Sequence, residues 1–182
     1  VSNESSEIIR MFNSEFNELT GNHDDYYPEQ LQSVIDEWND YIYPNVNNGV
    51  YRCGFATTQE AYEEAFDSLF DALDKIDAHL ATHRYLAGNK ITEADWRLFT
   101  TLVRFDAVYV GHFKCNKQRI ADYANIQGYL KELYQIEGVA EITDFYHIKR
   151  HYYFSHTGIN PTQVVPKGPE LDLDSPHGRE SI

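Results

Sequence analysis

The sequence predicts an all-α fold, a helical bundle followed by an irregular tail, and three observations carry that expectation. Apolar residues recur at helical spacing over most of the chain up to about residue 151. A clear helix start stands at Thr92, where Asp95 three residues on closes a capping box and Ile91 and Trp96 are placed for a hydrophobic staple. No stretch alternates with the period of two that a half-buried strand requires, and no internal repeat stands out.

The elements follow in order. Residues 5–16 predict a short helix with Ile8, Ile9, Phe12 and Phe16 on one face. Asn3 or Ser5 can cap it, and Glu4 and Glu7 lie where negative charge meets the positive end of the dipole. Exposed amides at such a start can also take up a ligand carboxylate, so a plain cap and a binding site are both open. Residues 17–27 read as a polar connector. Pro28 suits the first position of a second helix, with Leu31, Val34, Ile35, Trp38, Tyr41 and Ile42 at helical spacing and Pro44 as its stop. Residues 45–49 read as a loop, since Asn and Gly tolerate left-handed backbone.

A long helix is expected from Thr57 or Thr58, because Thr57 and Glu60 have capping-box spacing. Its stripe is Tyr62, Ala65, Phe66, Leu69, Phe70, Leu73, Ile76 and Leu80, and His79, His83 and Arg84 lie near its negative end. The helix after Thr92 is apolar on most sides, from Leu98 to Val110. It is therefore expected at the centre of the bundle with Trp96 buried, and Gly111 ends it. Two more helices are predicted near 125–136 and 139–151. From about Ser155, Pro161, Pro166, Gly168, Pro169, Pro176 and Gly178 predict a segment without regular structure, lying over the surface or mobile.

Composition narrows the function classes. The 182 residues suffice for one or two domains with a real core, and 42% hydrophobic and 24% charged residues are ordinary for a soluble chain. A net charge of −14 argues against duplex nucleic acid and anionic membrane as partners. The apolar runs are too short to cross a bilayer, and no signal peptide is visible. The 14 Tyr and 10 Phe permit a pocket lined with phenols. Cys53 and Cys115 belong to no Cys-x-x-Cys pattern and read as free buried thiols of a cytoplasmic protein. Arg52 beside Cys53, and Lys114 and Lys117 around Cys115, are weak signals for a nucleophile. His79 with His83, and His147 with His151, have the spacing of helical metal ligands. Neither pair has a third ligand or the Glu of a zinc protease motif, so no metal is expected. Lys149 and Arg150 read as a solvated helix face.

Several segments resemble one family. Residues 3–9, with Glu4 and Ser5, resemble the last helix of the thioredoxin-like, glutathione-binding half of a glutathione transferase, where a Glu-Ser pair holds the γ-glutamyl end of glutathione. Residues 85–95, a Leu-x-Gly turn leading into the staple and box, look like the folding motif of glutathione transferase C-terminal domains. Residues 48–62, 104–109 and 147–156, with Ile159-Asn160-Pro161 following, are together similar to the xi class, the glutathionyl-hydroquinone reductases. The resemblance covers essentially the whole chain.

It implies a division into residues 1–16, the last helix of an otherwise missing thioredoxin-like domain; 17–154, the helical domain; and 155–182, a tail peculiar to the class. It implies a chain that supplies the aromatic substrate pocket and dimer surface of an enzyme that reduces glutathionyl-hydroquinones with glutathione as co-substrate and no metal. Its partners would be glutathione, a quinone-type aromatic molecule and a second copy in a homodimer, with exposed aromatics such as Tyr62 at the interface. By position in the matching motifs, Tyr51 and Tyr152 would donate hydrogen bonds to the substrate, with Tyr153 the alternative to Tyr152, and Glu4 and Ser5 would bind glutathione. The family's thiol lies upstream in a Cys-Pro motif that neither Cys53 nor Cys115 matches, so the isolated chain is expected to be inactive. A non-catalytic transferase-like interaction domain is the alternative. If Tyr51 and Tyr152 serve one aromatic substrate, their hydroxyls should lie within roughly 10 Å of each other on one cleft, near the helix that starts at Glu4 and Ser5, so that each can hydrogen-bond that substrate.

Overall fold

The computed structural model describes residues 2–182. Its regular elements are helices: α1 (Ser5–Ser14), α2 (Asn17–Thr20), α3 (Gln32–Ile42), α4 (Gly49–Gly54), α5 (Gln59–Leu80), α6 (Glu93–Arg104), α7 (Val110–His112), α8 (Ile126–Tyr134), α9 (Val139–Ile142) and α10 (Phe145–Ser155). The one β-type pairing among the described residues is an isolated bridge between Tyr85 and Gly88. The all-α expectation holds.

The core gathers around α5 and α6. Leu69, Leu73, Ile76 and Leu80 of α5 meet Leu98 and Leu102 of α6, Ile35 and Ile42 of α3, and Ile126, Tyr129 and Leu133 of α8, all essentially inaccessible to solvent. Each such side chain contributes about 1.5–3 kcal/mol by leaving water. The Asp95 carboxylate, wholly buried, accepts from the Thr92 amide (2.7 Å) and hydroxyl (2.8 Å), the Leu86 amide (3.0 Å) and the Tyr129 hydroxyl (2.8 Å). The helix start read from sequence is thus also a junction of three segments. Asp77 of α5 caps α8 from outside, its carboxylate accepting from the amides of Asn125 (2.8 Å) and Ile126 (2.9 Å). Asp106 does the same for Ile120 (2.6 Å) and Ala121 (3.0 Å).

Several local expectations are corrected. Pro44 does not stop the chain's helical path. Residues Tyr43–Asn47 form a π turn, in which Asn48 N–H reaches the Tyr43 carbonyl (2.8 Å), and the predicted loop continues into α4. The wider turn accommodates a residue with no N–H, and the Asn45 amide group donates to the Tyr41 carbonyl (2.8 Å). Tyr51 therefore sits on a helix. A second π turn, Phe105–Tyr109, interrupts the predicted central helix, which ends one residue beyond Gly111 at His112. The cap of α5 is Thr58, accepting from the Ala61 amide, rather than Thr57. At α1 the cap position is Glu4 with no side-chain cap bond, so neither Asn3 nor Ser5 serves. The predicted helix at 139–151 is split, with α9 ending at Ile142 and Asp144 capping α10 through the His147 amide. Trp96 is half-buried, edge-on to Tyr26 and Phe99. Tyr62 is half-buried too, its hydroxyl donating to the Lys114 carbonyl (2.7 Å).

The tail after α10 has no helix but is tied down. Leu173 is buried, Gln135 donates to the carbonyls of Leu173 and Ser175 (both 2.8 Å), and Lys149 donates to those of Lys167 and Gly168. The Arg179 guanidinium, almost wholly buried, donates to the carbonyls of Leu80, His83 and Arg84, closing the C-terminal end of α5.

Candidate active site

A cavity of about 850 Å³ opens between α1, the first π turn, α4, α6 and α10. Each wall is delivered by a feature already described. The π turn turns Asn47 inward, where its amide group donates to the Arg97 carbonyl (2.9 Å) and Thr101 hydroxyl (2.7 Å) of α6. The helix that follows carries Tyr51. Gly54, at its end, lets the Phe113 ring pack against the backbone, where any Cβ would overlap the ring. The last turn of α10 carries Tyr152.

Three phenols converge there. The hydroxyls of Tyr51 and Tyr152, 101 positions apart, lie 2.6 Å from each other. The hydroxyl of Tyr109, at the end of the second π turn, lies 2.9 Å from that of Tyr152, with the two rings edge to face at 5.4 Å. Tyr51 and Tyr152 line the cavity, whereas Tyr109 lies behind them, 2% exposed. Burial, with the bonds to Tyr109 and Tyr51 modulating it, pushes the Tyr152 phenol up to about 12. Burial pushes Tyr109 up as well, reinforced by Tyr152. Both are therefore neutral and able to donate at physiological pH.

The cavity's charge opposes that of the chain. Arg97, Arg104, His147 and His151 line it, with no carboxylate among the described lining residues, in a molecule of net charge −14. Arg97 is paired with Glu93 (3.4 Å). Arg104 donates to the Thr100 carbonyl, and its charge eases ionisation of Tyr152. Such a basin favours anionic or electron-rich aromatic ligands.

Of the residues singled out from sequence, Tyr51, Tyr152 and Ser5 share this cavity. Glu4 is exposed and outside its wall. Tyr153 is also outside, its ring against His112 and its hydroxyl donating to the Val108 carbonyl (3.4 Å). Cys53 and Cys115 are free, essentially inaccessible and absent from the wall. The Cys115 thiol lowers Cys53 by hydrogen bonding and is itself pushed up by the same bond and by burial. His79 stacks on His83 (4.1 Å), meets the tilted ring of Trp38 (4.7 Å) and bonds the Leu86 carbonyl, a packing role. Among the described residues no group of three His, Cys, Asp or Glu could hold a metal, and no helix is long and apolar enough to cross a membrane. Sequence reasoning missed Tyr109 and Arg104 as parts of the site. Both belong to the segment 104–109, which carries the resemblance to the xi class but whose residues otherwise read as a buried stripe, with no role at the site assigned to either.

Comparison with known proteins agrees with this architecture. Residues 59–132 match the glutathione S-transferase C-terminal domain. The chain is 58% identical over 180 residues to the glutathionyl-hydroquinone reductase YqjG of Escherichia coli K12, covering 99% of this chain and 55% of that protein. The glutathione-bound structure of YqjG superposes with a TM-score of 0.96 at 57% identity, over 100% of this chain and 59% of that one. A xi-class transferase from Natrialba magadii superposes at 0.97 with 51% identity, over 100% of this chain and 56% of that one. The chain spans about half the length of the curated relatives it matches. It belongs to the glutathione transferases, and within them it carries the C-terminal helical domain of the xi, glutathionyl-hydroquinone reductase, class.

Proposed function

We propose that this chain forms the aromatic-substrate half of a glutathione-dependent reductase acting on glutathionyl-hydroquinones. The observation that carries the reading is the meeting of the Tyr51 and Tyr152 hydroxyls at 2.6 Å on the wall of a cavity that Ser5 also lines. An interaction domain has no need of paired phenols turned inward. In this reading Ser5, with Glu4 beside it, takes the γ-glutamyl end of glutathione, and the hydroquinone ring lies against Tyr51 and Tyr152.

The chemistry is a displacement at sulfur. A thiolate attacks the thioether sulfur, the sulfur–ring bond breaks, and the ring carbon keeps the electron pair and gains a proton. The resulting mixed disulfide with glutathione is reduced by a second glutathione. A phenol hydrogen-bonded to the ring oxygen stabilises the charge spread onto the ring as that bond breaks. The two thiols of this chain are too buried to attack, so the nucleophile comes from outside these residues, and the 182-residue chain alone gives no turnover. The exposed apolar residues of α1, Ile9, Met11 and Phe12, offer a face on which a thiol-bearing half can pack. Two unbridged cysteines suit a reducing, cytoplasmic setting. The protein acts as a homodimer burying at least about 1,000 Å² in all, which sedimentation at micromolar concentration tests.

The decisive experiment uses a protein of the relatives' length that carries this chain. Tyr51→Phe and Tyr152→Phe keep the rings and remove the hydroxyls. Turnover of a glutathionyl-hydroquinone should fall roughly 10- to 1,000-fold with the circular dichroism unchanged. Full turnover in the double variant removes both residues from the site.

A further inference from the structure

The wall of the cavity holds an arginine that no carboxylate of the described residues neutralises. Arg104, the last residue of α6, lines the cavity half-exposed, and its one hydrogen bond among the described residues goes to the Thr100 carbonyl. Most of its donors are therefore unused. Arg97 on the same helix is tied to Glu93, and Arg84 and Arg179 are tied to Glu132. Arg150, which also lacks a carboxylate among the described residues, stacks on Phe154 (4.4 Å) and lies outside the wall. His147 and His151 add two exposed imidazoles from α10. Arg104 lies two turns, about 10 Å, along α6 from Arg97. It is thus away from the end of α6 where Arg10 of α1 reaches Glu93 (2.9 Å).

We propose that Arg104, with the imidazoles of His147 and His151 on the same cavity wall, seats the glycine carboxylate of the second glutathione, the one that reduces the mixed disulfide. The proposal rests on reading the cavity as the hydroquinone pocket. Both displacements of that reaction take place at one glutathione sulfur. In the first, the protein thiolate enters and the ring leaves in line with it. In the second, a glutathione thiolate enters and forms the sulfur–sulfur bond of glutathione disulfide, and the protein thiolate leaves with the electron pair of the bond that breaks. The line of entry is the line along which the ring departed, so the second glutathione takes the place of the ring beside Tyr51 and Tyr152. Arg104 is close enough to that place for its charge to ease ionisation of Tyr152. A cavity of about 850 Å³ has room for a peptide arm as well as a ring. The glycine end fits better than the γ-glutamyl end, which carries an ammonium beside its carboxylate. No carboxylate among the described lining residues is there to answer that ammonium. The same basic wall draws an anionic thiolate toward a chain whose net charge of −14 otherwise repels it.

The test separates the two half-reactions in the relatives'-length protein. The mixed disulfide with glutathione is isolated, and its reduction is followed by rapid mixing with glutathione or with glutathione glycine monoethyl ester, which lacks the charge at that end. The parent protein should prefer glutathione roughly 5- to 50-fold in second-order rate. In Arg104→Gln the preference should shrink to within about two-fold, and Arg104→Lys should restore part of it. Equal rates for the two thiols in the parent protein overturn the proposal, and that measurement needs no variant to fold. A preference kept intact in Arg104→Gln overturns it too. A carboxylate on the hydroquinone ring is the other source of the same charge. Should Arg104→Gln slow the release of a ring-carboxylated hydroquinone while keeping the thiol preference, Arg104 reads the ring and the proposal falls. The pocket reading is tested in the first half-reaction. Normal hydroquinone release in both Tyr51→Phe and Tyr152→Phe overturns that reading and this proposal with it. Slowed release there, with equal rates for the two thiols, overturns this proposal alone.

Discussion

Helix α6 and helix α1 begin with similar sequence and end in opposite conditions. Both starts offer a small polar residue and a nearby carboxylate. At α6 the Asp95 carboxylate is inaccessible and accepts four hydrogen bonds from three segments. At α1 no side chain caps the helix, and none of its residues is buried. What holds α1 is polar: Arg10 reaches Asp36 (2.6 Å) and Glu93 (2.9 Å) with its guanidinium over Tyr27, and Asn13 bonds Asp25. The same local signal thus serves as a structural joint where other chain segments converge and leaves an open end where none does. An open helix start beside a cavity is free to meet a ligand, and a closed one is not.

That contrast can be broken by mutation. Asp95→Ala leaves the amides of Leu86 and Thr92 and the hydroxyl of Tyr129 buried without an acceptor. It should cost at least about 3 kcal/mol in urea unfolding, well beyond the cost of an ordinary cap. A loss near 1 kcal/mol would mean that the junction adds nothing to the capping box.

The closed interior should also show itself through pH. Burial first, then His156 and Lys114, lowers the His112 imidazole from 6.5 to about 4. The unfolded chain takes a proton near 6.5 that the folded chain refuses until about 4. Stability from this group is therefore complete above about pH 6.5 and is lost as the pH falls through that window, by up to about 3 kcal/mol. Unfolding midpoints at pH 7 and 4.5 should differ less in His112→Gln than in the parent protein. Equal differences would show that the imidazole reaches solvent.

Smaller effects sharpen the comparison from the exposed side. Thr58→Ala removes a solvent-facing cap bond to Ala61 at α5 (3.2 Å) and should cost about 1 kcal/mol. Ser5→Ala should change stability by less than about 0.5 kcal/mol, since Ser5 makes no cap. In the relatives'-length protein the same substitution should weaken glutathione binding in calorimetry. A stability loss at Ser5 equal to that at Thr58, with binding unaffected, would return α1 to the status of an ordinary helix start.

Much of the fold was legible because it rests on period and punctuation. The stripe from Ala65 to Leu80, the box at Thr92 and Asp95, and the prolines of the tail each act locally, and each appears at the expected place. The errors that bear on the site lie where the backbone departs from 3.6 residues per turn. Pro44 reads as a stop because a regular helix cannot take it, and a π turn can. Likewise the stripe from Phe105 to Val110 hides a second π turn that ends on Tyr109. Both lie next to the site, so the geometry that brings Tyr51 and Tyr109 together is the part that periodicity could not foresee.

The sequence by itself determined that the chain is helical, where its central helix begins, and, through resemblance, which tyrosines and which serine to examine. Only the tertiary structure decided that Tyr51 and Tyr152 touch, that Tyr109 stands behind them, that Tyr153 and Glu4 lie outside the cavity, and that the tail is strapped down by Arg179. The physical reason is one of range. Caps, turns and amphipathic stripes are fixed by residues within a few positions of one another, whereas a hydroxyl pair 101 positions apart exists only once the apolar stripes have packed.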